Sequence, residues 1–326
     1  MNKLMLATAM LSLMGSGALA ENWDLSNEYP ATSLHGQTAD FFAKAVAEKT
    51  GGSLTITVHH GAALGYKSVD LFDAVGDGAL QAASTSFVFL SGIDPAFQLG
   101  SLPFIAADME ETETLNELAR PVYDGIFEDA NQALLVVVPW PVSGIWANKV
   151  VAGPEDMKGL KIRTYDVGST ETMANAGAFP VQISWSDVPA QLSTNAIEAV
   201  LTSANGGAGS QFWDLQTHFN NVNYTAGLQA IHVNRDALDS LTEEEQAAVR
   251  EAAAEAEAFG WQLAVDNLQV DYETLRSHGV TVTEDISPEF AAFLKEAGRP
   301  FAEKWLAGVS DELKAVYEAY QAATAE

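Results

Sequence analysis

The sequence predicts an α/β fold of two lobes with one long helix lying across both of them. Three observations favour this fold. Helical and strand patterns alternate along the chain, one helix-turn-strand segment occurs twice, and residues 242–278 have the pattern of a single helix. The 326 residues are enough for two domains of ordinary size, and because cysteine is absent their stability rests on the hydrophobic core.

The first 20 residues have the pattern of a secretory signal. Lys3 supplies a positive charge, residues 4–14 are mainly apolar, and Ala18-Leu19-Ala20 has the small-residue order of a cleavage site. The apolar stretch is shorter than the roughly 20 residues that span a bilayer, which disfavours a membrane anchor. We therefore predict cleavage after about Ala20 and a mature chain that works outside the cytoplasm.

The charge balance limits the possible partners. The formal net charge is −28, because 44 acidic residues outnumber 16 lysines and arginines. Nucleic acid is not an expected partner, since binding it requires a basic face. Most of the acid excess favours solubility. Any site for an anion must be built locally around one of the few cations.

The amino-terminal third alternates between helix and strand. Residues 33–49 predict a helix with Phe41, Phe42 and Val46 on its apolar face, and Thr50-Gly51-Gly52 ends it. Leu54 to Val58 alternates as a strand does. A second helix is expected over 67–75, followed by a β-capable run of small residues over 79–89.

A segment that begins at Asp70 is repeated from Asp187. Each copy predicts a helix, a turn and a strand that ends in hydroxyl residues. Ligands of open α/β sheets bind outside the carboxyl ends of the strands, so both ends are expected to face a shared site. The candidates at these ends are Ser86 and Phe87 in the first copy, and Thr202, Ser203 and Asn205 in the second. Chance similarity is the alternative, because Ala and Ser are common in this chain.

Thr242 and Glu245 form a capping-box pattern that opens a long helix reaching His278 without proline. At ~1.5 Å per residue this helix would be on the order of 50 Å long, which is enough to cross two lobes. Gly260 is the position where it could bend. No linker divides the chain, so we expect discontinuous lobes. The first is predicted to contain residues 21–143 and about 229–270, and the second residues 144–228 and about 271–326.

Signatures of enzymes are missing from the sequence. It contains no nucleophile elbow, zinc-protease motif, phosphate loop or complete dinucleotide-binding motif. His59 and His60 are adjacent in a predicted strand and would point to opposite faces, which disfavours a shared metal. We expect no cofactor and no metal. A periplasmic hydrolase and a ligand sensor are the alternatives from other functional classes.

Arg163 is the arginine with the most unusual sequence context. It ends the apolar strand Gly159-Leu160-Lys161-Ile162 and enters the polar stretch Thr164-Tyr165-Asp166. A planar guanidinium there can hold a carboxylate through two parallel hydrogen bonds. A structural ion pair with Asp166 is the alternative, and residue chemistry leaves the two equally open.

Three segments resemble a known family. Residues 156–163 (DMKGLKIR) and 176–181 (AGAFPV) resemble the signature of the DctP-like solute receptors of TRAP (tripartite ATP-independent periplasmic) transporters. Residues 191–199 are similar to the helix-turn-strand that follows in this family, with Asn195 where glycine is usual and Glu198 where aspartate is usual. The signal, the early helices and the long helix occur in the same order, so the resemblance covers nearly the whole mature chain.

The resemblance implies a periplasmic receptor rather than an enzyme. Its lobes would close on a small organic anion and deliver it to integral membrane subunits of a TRAP transporter. Arg163 matches the family's carboxylate-binding arginine. A second arginine that some members carry upstream is missing, and Ser143, Trp146 and Asn148 stand in that region. Trp140 and Trp146 suggest an apolar or aromatic ligand body, so we expect a monocarboxylate, with dicarboxylates, 2-keto acids and sugar acids as alternatives.

The remaining site candidates come from the expected lobe geometry. His35 flanks the first strand-to-helix loop, and Trp213 follows the glycine-rich segment 205–209. For the aromatic residues core packing is the alternative, since large rings are mostly buried. The full expected ligand-binding set is Arg163, Trp140, Trp146, Asn205, Ser203, Thr202, Ser86, Phe87, His35 and Trp213.

Overall fold

The computed structural model describes residues 21–106 and 108–325, so the predicted signal segment lies outside the described residues. The strands are β1 (Glu21–Asn27), β2 (Leu54–His59), β3 (Ala82–Ser86), β4 (Gln132–Pro139), β5 (Ser143–Ala147), β6 (Lys161–Thr164), β7 (Phe179–Gln182), β8 (Ala199–Ser203), β9 (His218–Asn220), β10 (Leu228–Asn234) and β11 (Thr281–Thr283). The α-helices are α1 (Leu34–Lys49), α2 (Ser68–Gly76), α3 (Met109–Asp129), α4 (Pro154–Met157), α5 (Val167–Asn175), α6 (Val188–Ser193), α7 (Ala204–Gly209), α8 (Arg235–Ser240), α9 (Glu243–Ser277), α10 (Pro288–Gly308) and α11 (Asp311–Ala323).

Two sheets form the centres of two lobes. The first has the strand order β2-β1-β3-β10-β4, in which β10 runs antiparallel to both of its neighbours. The second has the order β11-β9-β5-β8-β6-β7, in which β5 is the antiparallel strand. The chain leaves the first sheet between β4 and β5 and returns between β9 and β10. The α/β fold predicted from the alternating patterns is confirmed, whereas the predicted residue boundaries of the lobes remain a prediction.

The repeated segment forms equivalent elements in the two sheets. The first copy supplies α2 and β3, and the second supplies α6 and β8. Both strands are buried along their whole length, because each lies between two neighbouring strands. Their carboxyl ends, at Ser86 and Ser203, are therefore held by central strands of the two sheets.

Helix α9 joins the lobes. Its capping box forms as predicted, with the Thr242 side chain accepting a hydrogen bond of 3.2 Å from the Glu245 backbone N. The helix packs on α1 and β4 on the side of the first sheet, and on α7 and β11 on the side of the second. It is continuous through Gly260, where an added Cβ would lie 2.5 Å from Cγ1 of Val138. Gly260 thus permits close packing on β4.

Apolar residues fill the space between sheets and helices. Trp23 and Leu25 of β1 pack with Phe42 and Val46 of α1, which confirms the predicted apolar face of that helix. Burial of such side chains stabilises the fold by about 25 cal/mol per Å². The last helix, α11, packs on α3 beside the first sheet. No helix in the described ranges is both long and apolar enough to cross a bilayer.

Candidate functional site

A cavity lies between the two sheets. It is narrow, with a volume of about 40 Å³. This is below the roughly 300–1,000 Å³ of typical ligand pockets, so the cavity suits a small molecule rather than a polymer. The lining residues come from both lobes and from the segments that connect them: Tyr29, Ser86, Val88, Phe89, Trp140, Pro141, Ser143, Arg163, Tyr165, Trp185, Thr202, Ser203 and Gly227.

Strand ends build most of the cavity wall. Ser86 is the last residue of β3, Thr202 and Ser203 end β8, and Tyr165 follows β6. Parallel strands of an open sheet end on one side, so their terminal side chains converge. The hydroxyl residues predicted from the repeated segment therefore meet in one place.

The guanidinium of Arg163 is fixed by backbone carbonyls. Nε donates to the carbonyl oxygen of Ile183 at 2.9 Å, and Nη1 donates to that of Leu201 at 3.2 Å. The residue is only 3 % exposed, and Nη2 donates to no protein group within residues 21–106 and 108–325. A rigid cation is thus presented to the cavity with hydrogen-bonding capacity left over.

Asp166 does not neutralise Arg163 by direct contact. Its carboxylate accepts hydrogen bonds from Ser169 N (2.7 Å), Ser169 Oγ (2.6 Å) and Ser101 Oγ (2.8 Å). Burial lowers the pKa of Arg163, and the nearby acidic and phenolic groups oppose that shift. An arginine stays protonated in proteins, so a ligand anion that contacts this buried charge directly would compensate it further.

Aromatic rings surround the charge. The Tyr29 ring lies edge-on to Trp140 with 4.7 Å between centroids, and 6.1 Å from the Trp185 centroid. The Arg163 guanidinium carbon lies 5.6 Å from the Tyr165 ring centroid and 5.5 Å from that of Trp185, within cation–π range. These rings supply flat apolar surface for a ligand body.

Tyr29 and Tyr165 line the cavity, and their hydroxyls are un-ionised. Burial raises the pKa of both Tyr29 and Tyr165 well above the usual tyrosine value. The Tyr165 hydroxyl is buried and lies near Ser143, but it makes no hydrogen bond of normal geometry among the described residues. A buried hydroxyl without a partner is costly, so this group is suited to bond a ligand.

The cavity contains half of the expected ligand-binding set. Arg163, Trp140, Ser86, Thr202 and Ser203 line it. All but one of them belong to a strand that ends at the cleft, which is the feature that made them predictable.

Trp146 and Phe87 do not line this cavity. Trp146 lies in the core of the second sheet, where its Nε1 donates to the Ser203 carbonyl oxygen at 3.1 Å. The pleat of β5 explains its position, because Ser143 and Trp146 are an odd number of residues apart and point to opposite faces. Phe87 packs in the core of the first sheet against Phe97.

His35, Asn205 and Trp213 also lie outside the cavity lining. The Asn205 amide accepts from Leu34 N at 3.2 Å and donates to the Asp271 carboxylate, which links both lobes to α9. The buried His35 ring lies 3.8 Å from the Trp140 ring, centroid to centroid, behind the wall. Trp213 stacks on His278. Ligand contact by these residues stays a prediction.

Other wall residues were not in the expected set. Tyr29 lies in the first strand-to-helix loop, which His35 flanks, and Tyr165 follows Arg163 directly, so sequence proximity could have indicated both. Trp185 gives no such signal. It lies beyond the edge strand β7, in a 3₁₀ turn over Trp185–Asp187 that the tertiary fold brings to the cleft.

Polar contacts hold the lobes together beside the cavity. Glu28, which follows β1, accepts a hydrogen bond of 3.0 Å from the backbone N of Ser186 beyond β7. The same carboxylate accepts from Ser68 N and Ser68 Oγ at 3.0 and 2.6 Å. Lys67 Nζ lies 2.7 Å from Oδ2 of Asp187. The cavity is therefore enclosed by direct contacts between the two lobes.

A two-lobed α/β protein with an arginine in an interlobe cavity has the form of a solute-binding protein. Residues 25–307 match the model of the bacterial extracellular solute-binding protein family 7, the DctP family. The chain belongs to this family, as the resemblance predicted. It is a binding protein for transport rather than an enzyme.

Solved structures and a curated relative resemble the chain over almost its whole length. DctP7 of Bordetella pertussis, a receptor binding pyroglutamic acid, is 29% identical with a TM-score of 0.89, covering 93% of this chain and 100% of that one. A marine metagenome TRAP solute-binding protein specific for pyroglutamate is 27% identical with a TM-score of 0.87, covering 93% and 99%. The 2,3-diketo-L-gulonate-binding periplasmic protein YiaO of Escherichia coli is 24% identical, covering 93% of both chains.

Proposed function

We propose that this protein captures a small organic monocarboxylate in the interlobe cavity and delivers it to the integral membrane subunits of a TRAP transporter. The carboxylate would bind the free edge of the Arg163 guanidinium. The aromatic rings of Trp140, Trp185 and Tyr29 would contact the ligand body.

The buried guanidinium, which no carboxylate of the described residues contacts directly, is the observation that carries the proposal. Removing an arginine from water is costly unless an anion compensates it. Backbone carbonyls already hold Nε and Nη1, so the side chain need not reorder when the ligand arrives. A preorganised cation of this kind favours acids over neutral solutes.

Pyroglutamate is the first ligand to test. Two similar solved receptors are described as binding it, and it is a compact acid with one carboxylate and a flat ring. The narrow cavity with aromatic walls suits such a molecule better than an extended sugar acid. Sugar acids, 2-keto acids and dicarboxylates belong in the same panel.

The predicted cellular location follows from the same family. The signal pattern ending at Ala20 would direct the chain to the periplasm, and YiaO is a periplasmic protein. There the closed, loaded receptor would meet the membrane subunits. Mass spectrometry of the periplasmic form should find Glu21 at the amino terminus.

Calorimetric titration of the acid panel tests the function. The protein is first unfolded and refolded to remove any ligand that co-purifies. We expect one acid to bind, and Arg163→Gln to weaken it at least about 30-fold, which corresponds to about 2 kcal/mol. Lys161→Gln is the matched control, because it removes a positive charge from an exposed position of the same strand. Unchanged affinity in Arg163→Gln, with both variants folded, would exclude the proposed role of Arg163.

A further inference from the structure

The charged and neutral groups of the cavity wall restrict the class of ligand further than Arg163 alone does. Among the described residues that line the cavity, Arg163 is the one charged side chain, and none is a carboxylate. The other polar groups of the wall are hydroxyls, of Ser86, Ser143 and Thr202 among others. A ligand bound here meets a single positive charge and otherwise neutral groups.

The nearby carboxylates are already engaged. Glu28 accepts hydrogen bonds from Ser68 and Ser186, and Asp166 accepts from Ser101 and Ser169. Both side chains are almost fully buried, at 2 % and 1 % exposed, and neither lines the cavity. An ammonium group on the ligand would find no anionic partner in the wall. Burying it there would cost much of the affinity gained at Arg163.

A second carboxylate on the ligand lacks a partner for a similar reason. Lys67 lies beside the cleft, but it pairs with Asp187 and does not line the cavity. One guanidinium compensates one carboxylate, so a diacid would bring an uncompensated negative charge into a narrow apolar space.

Tyr165 provides the second point of recognition. Its ring lies next to Arg163, and its buried hydroxyl lies near Ser143 without making a hydrogen bond of normal geometry in the described part of the chain. A neutral phenol can both donate and accept one hydrogen bond. It therefore suits an uncharged polar group, such as a carbonyl, amide or hydroxyl, close to the ligand carboxylate.

We propose that the cavity selects monoanions with an uncharged polar group near a single carboxylate, and that Tyr165 is the specificity-determining residue that reads this group. Lactam, 2-hydroxy and 2-keto monocarboxylates fit this class. Free α-amino acids and dicarboxylates do not. The inference rests on the proposed function, since it assumes that the carboxylate binds Arg163.

Paired ligands test the charge rule. Pyroglutamate and proline share a five-membered ring, in which pyroglutamate has a neutral amide and proline an ammonium group. 2-Hydroxyisocaproate and leucine are the open-chain pair, with a hydroxyl and an ammonium group respectively. Glutarate tests the second carboxylate. We expect the best-binding neutral-bodied acid to bind at least about 100-fold more tightly than its ammonium counterpart and than glutarate. Proline, leucine or glutarate binding within tenfold of that acid would overturn the inference.

The variant Tyr165→Phe tests the second contact. It removes a hydroxyl that makes no hydrogen bond of normal geometry within the described residues, so the unfolding midpoint of the ligand-free protein should change little. We expect about a tenfold loss of affinity for the best acid, which is the cost of one unmade hydrogen bond to a buried group. Equal affinity in Tyr165→Phe would contradict the role of Tyr165.

The outcomes separate this inference from the proposed function. If an amino acid binds best and binding still requires Arg163, the monoanion rule fails while the proposed capture of a monocarboxylate stands. If glutarate binds best, the monoanion rule and the proposed monocarboxylate both fail. If no acid in either panel binds, or if Arg163→Gln leaves the affinity unchanged, the proposed function itself fails.

Discussion

Oε1 of Glu28 accepts a hydrogen bond of 3.0 Å from the backbone N of Ser186, across the cleft between the two sheets. Glu28 follows the first strand of the first sheet, and Ser186 lies beyond the edge strand of the second sheet, next to the cavity residue Trp185. The contact therefore joins the two lobes directly beside the wall of the candidate site.

The variant Glu28→Gln should weaken ligand binding. The Glu28 carboxylate accepts three hydrogen bonds. In glutamine an NH₂ group replaces one of the two oxygens, so at least one donor would face another donor and lose its hydrogen bond. We expect about a tenfold loss of affinity in calorimetry, since the closed form loses roughly 1–2 kcal/mol. Ser68→Ala is the control, because it removes a bond to the same carboxylate from within one lobe. Equal losses in both variants would mean that the contact with Ser186 does not favour closure.

Asp271 should make the stability of the protein depend on pH. Burial raises the pKa of this carboxyl to about 6, and the hydrogen bond from Asn205 only partly opposes the shift. The usual value is 3.8, so the folded chain binds more protons than the unfolded chain between about pH 4 and 6. The stability contributed by this group therefore falls as the pH rises through that window.

The variant Asp271→Asn removes the cost of the buried charge. We expect its free energy of unfolding to exceed that of the wild type by about 1–2 kcal/mol at pH 7.5, and by roughly half as much at pH 5. Urea denaturation at the two pH values measures both gains. Glu273→Gln is the control, because it makes the same charge change at an exposed position of α9. A gain that does not vary with pH would argue against an ionised Asp271.

Gly207 should tolerate no side chain. An added Cβ would lie 2.2 Å from Cζ2 of Trp146, whose rigid ring is held by Phe212 and Phe219. Overpacking at such a site typically costs about 1–3 kcal/mol, so Gly207→Ala should lower the unfolding midpoint measured by circular dichroism. Gly209→Ala is the control in the same helix, because its Cβ would meet Ser33 at an ordinary 3.6 Å. Equal stability of the two variants would contradict the packing described for Trp146.

Sequence patterns predicted the parts of this molecule that depend on local order. The capping box at Thr242 predicted the start of α9, and the repeated segment predicted the strand ends that place Ser86 and Ser203 in the cavity. Arg163 was predictable because it lies at the carboxyl end of an apolar strand. In each case the relevant neighbours are close in the sequence.

The other parts of the site depend on details that a pattern does not contain. Trp146 was expected to contact the ligand, but the alternation of side chains along β5 places it in the core of the second sheet. Asn205 was expected in the wall, but Ser203 caps α7 and the amide of Asn205 meets Leu34 and Asp271 instead. Trp185 reaches the cavity through long-range packing alone, which no local signal predicts.

The most direct test of the central claim is a crystal structure of the protein with the acid that binds best. A carboxylate oxygen of that acid should lie within about 3.2 Å of Arg163 Nη2, the distance of a charge-assisted hydrogen bond. The Ile183 and Leu201 carbonyls should still hold the other two nitrogens. A ligand bound in the cavity with its carboxylate turned away from Arg163, or bound elsewhere on the protein, would contradict the account.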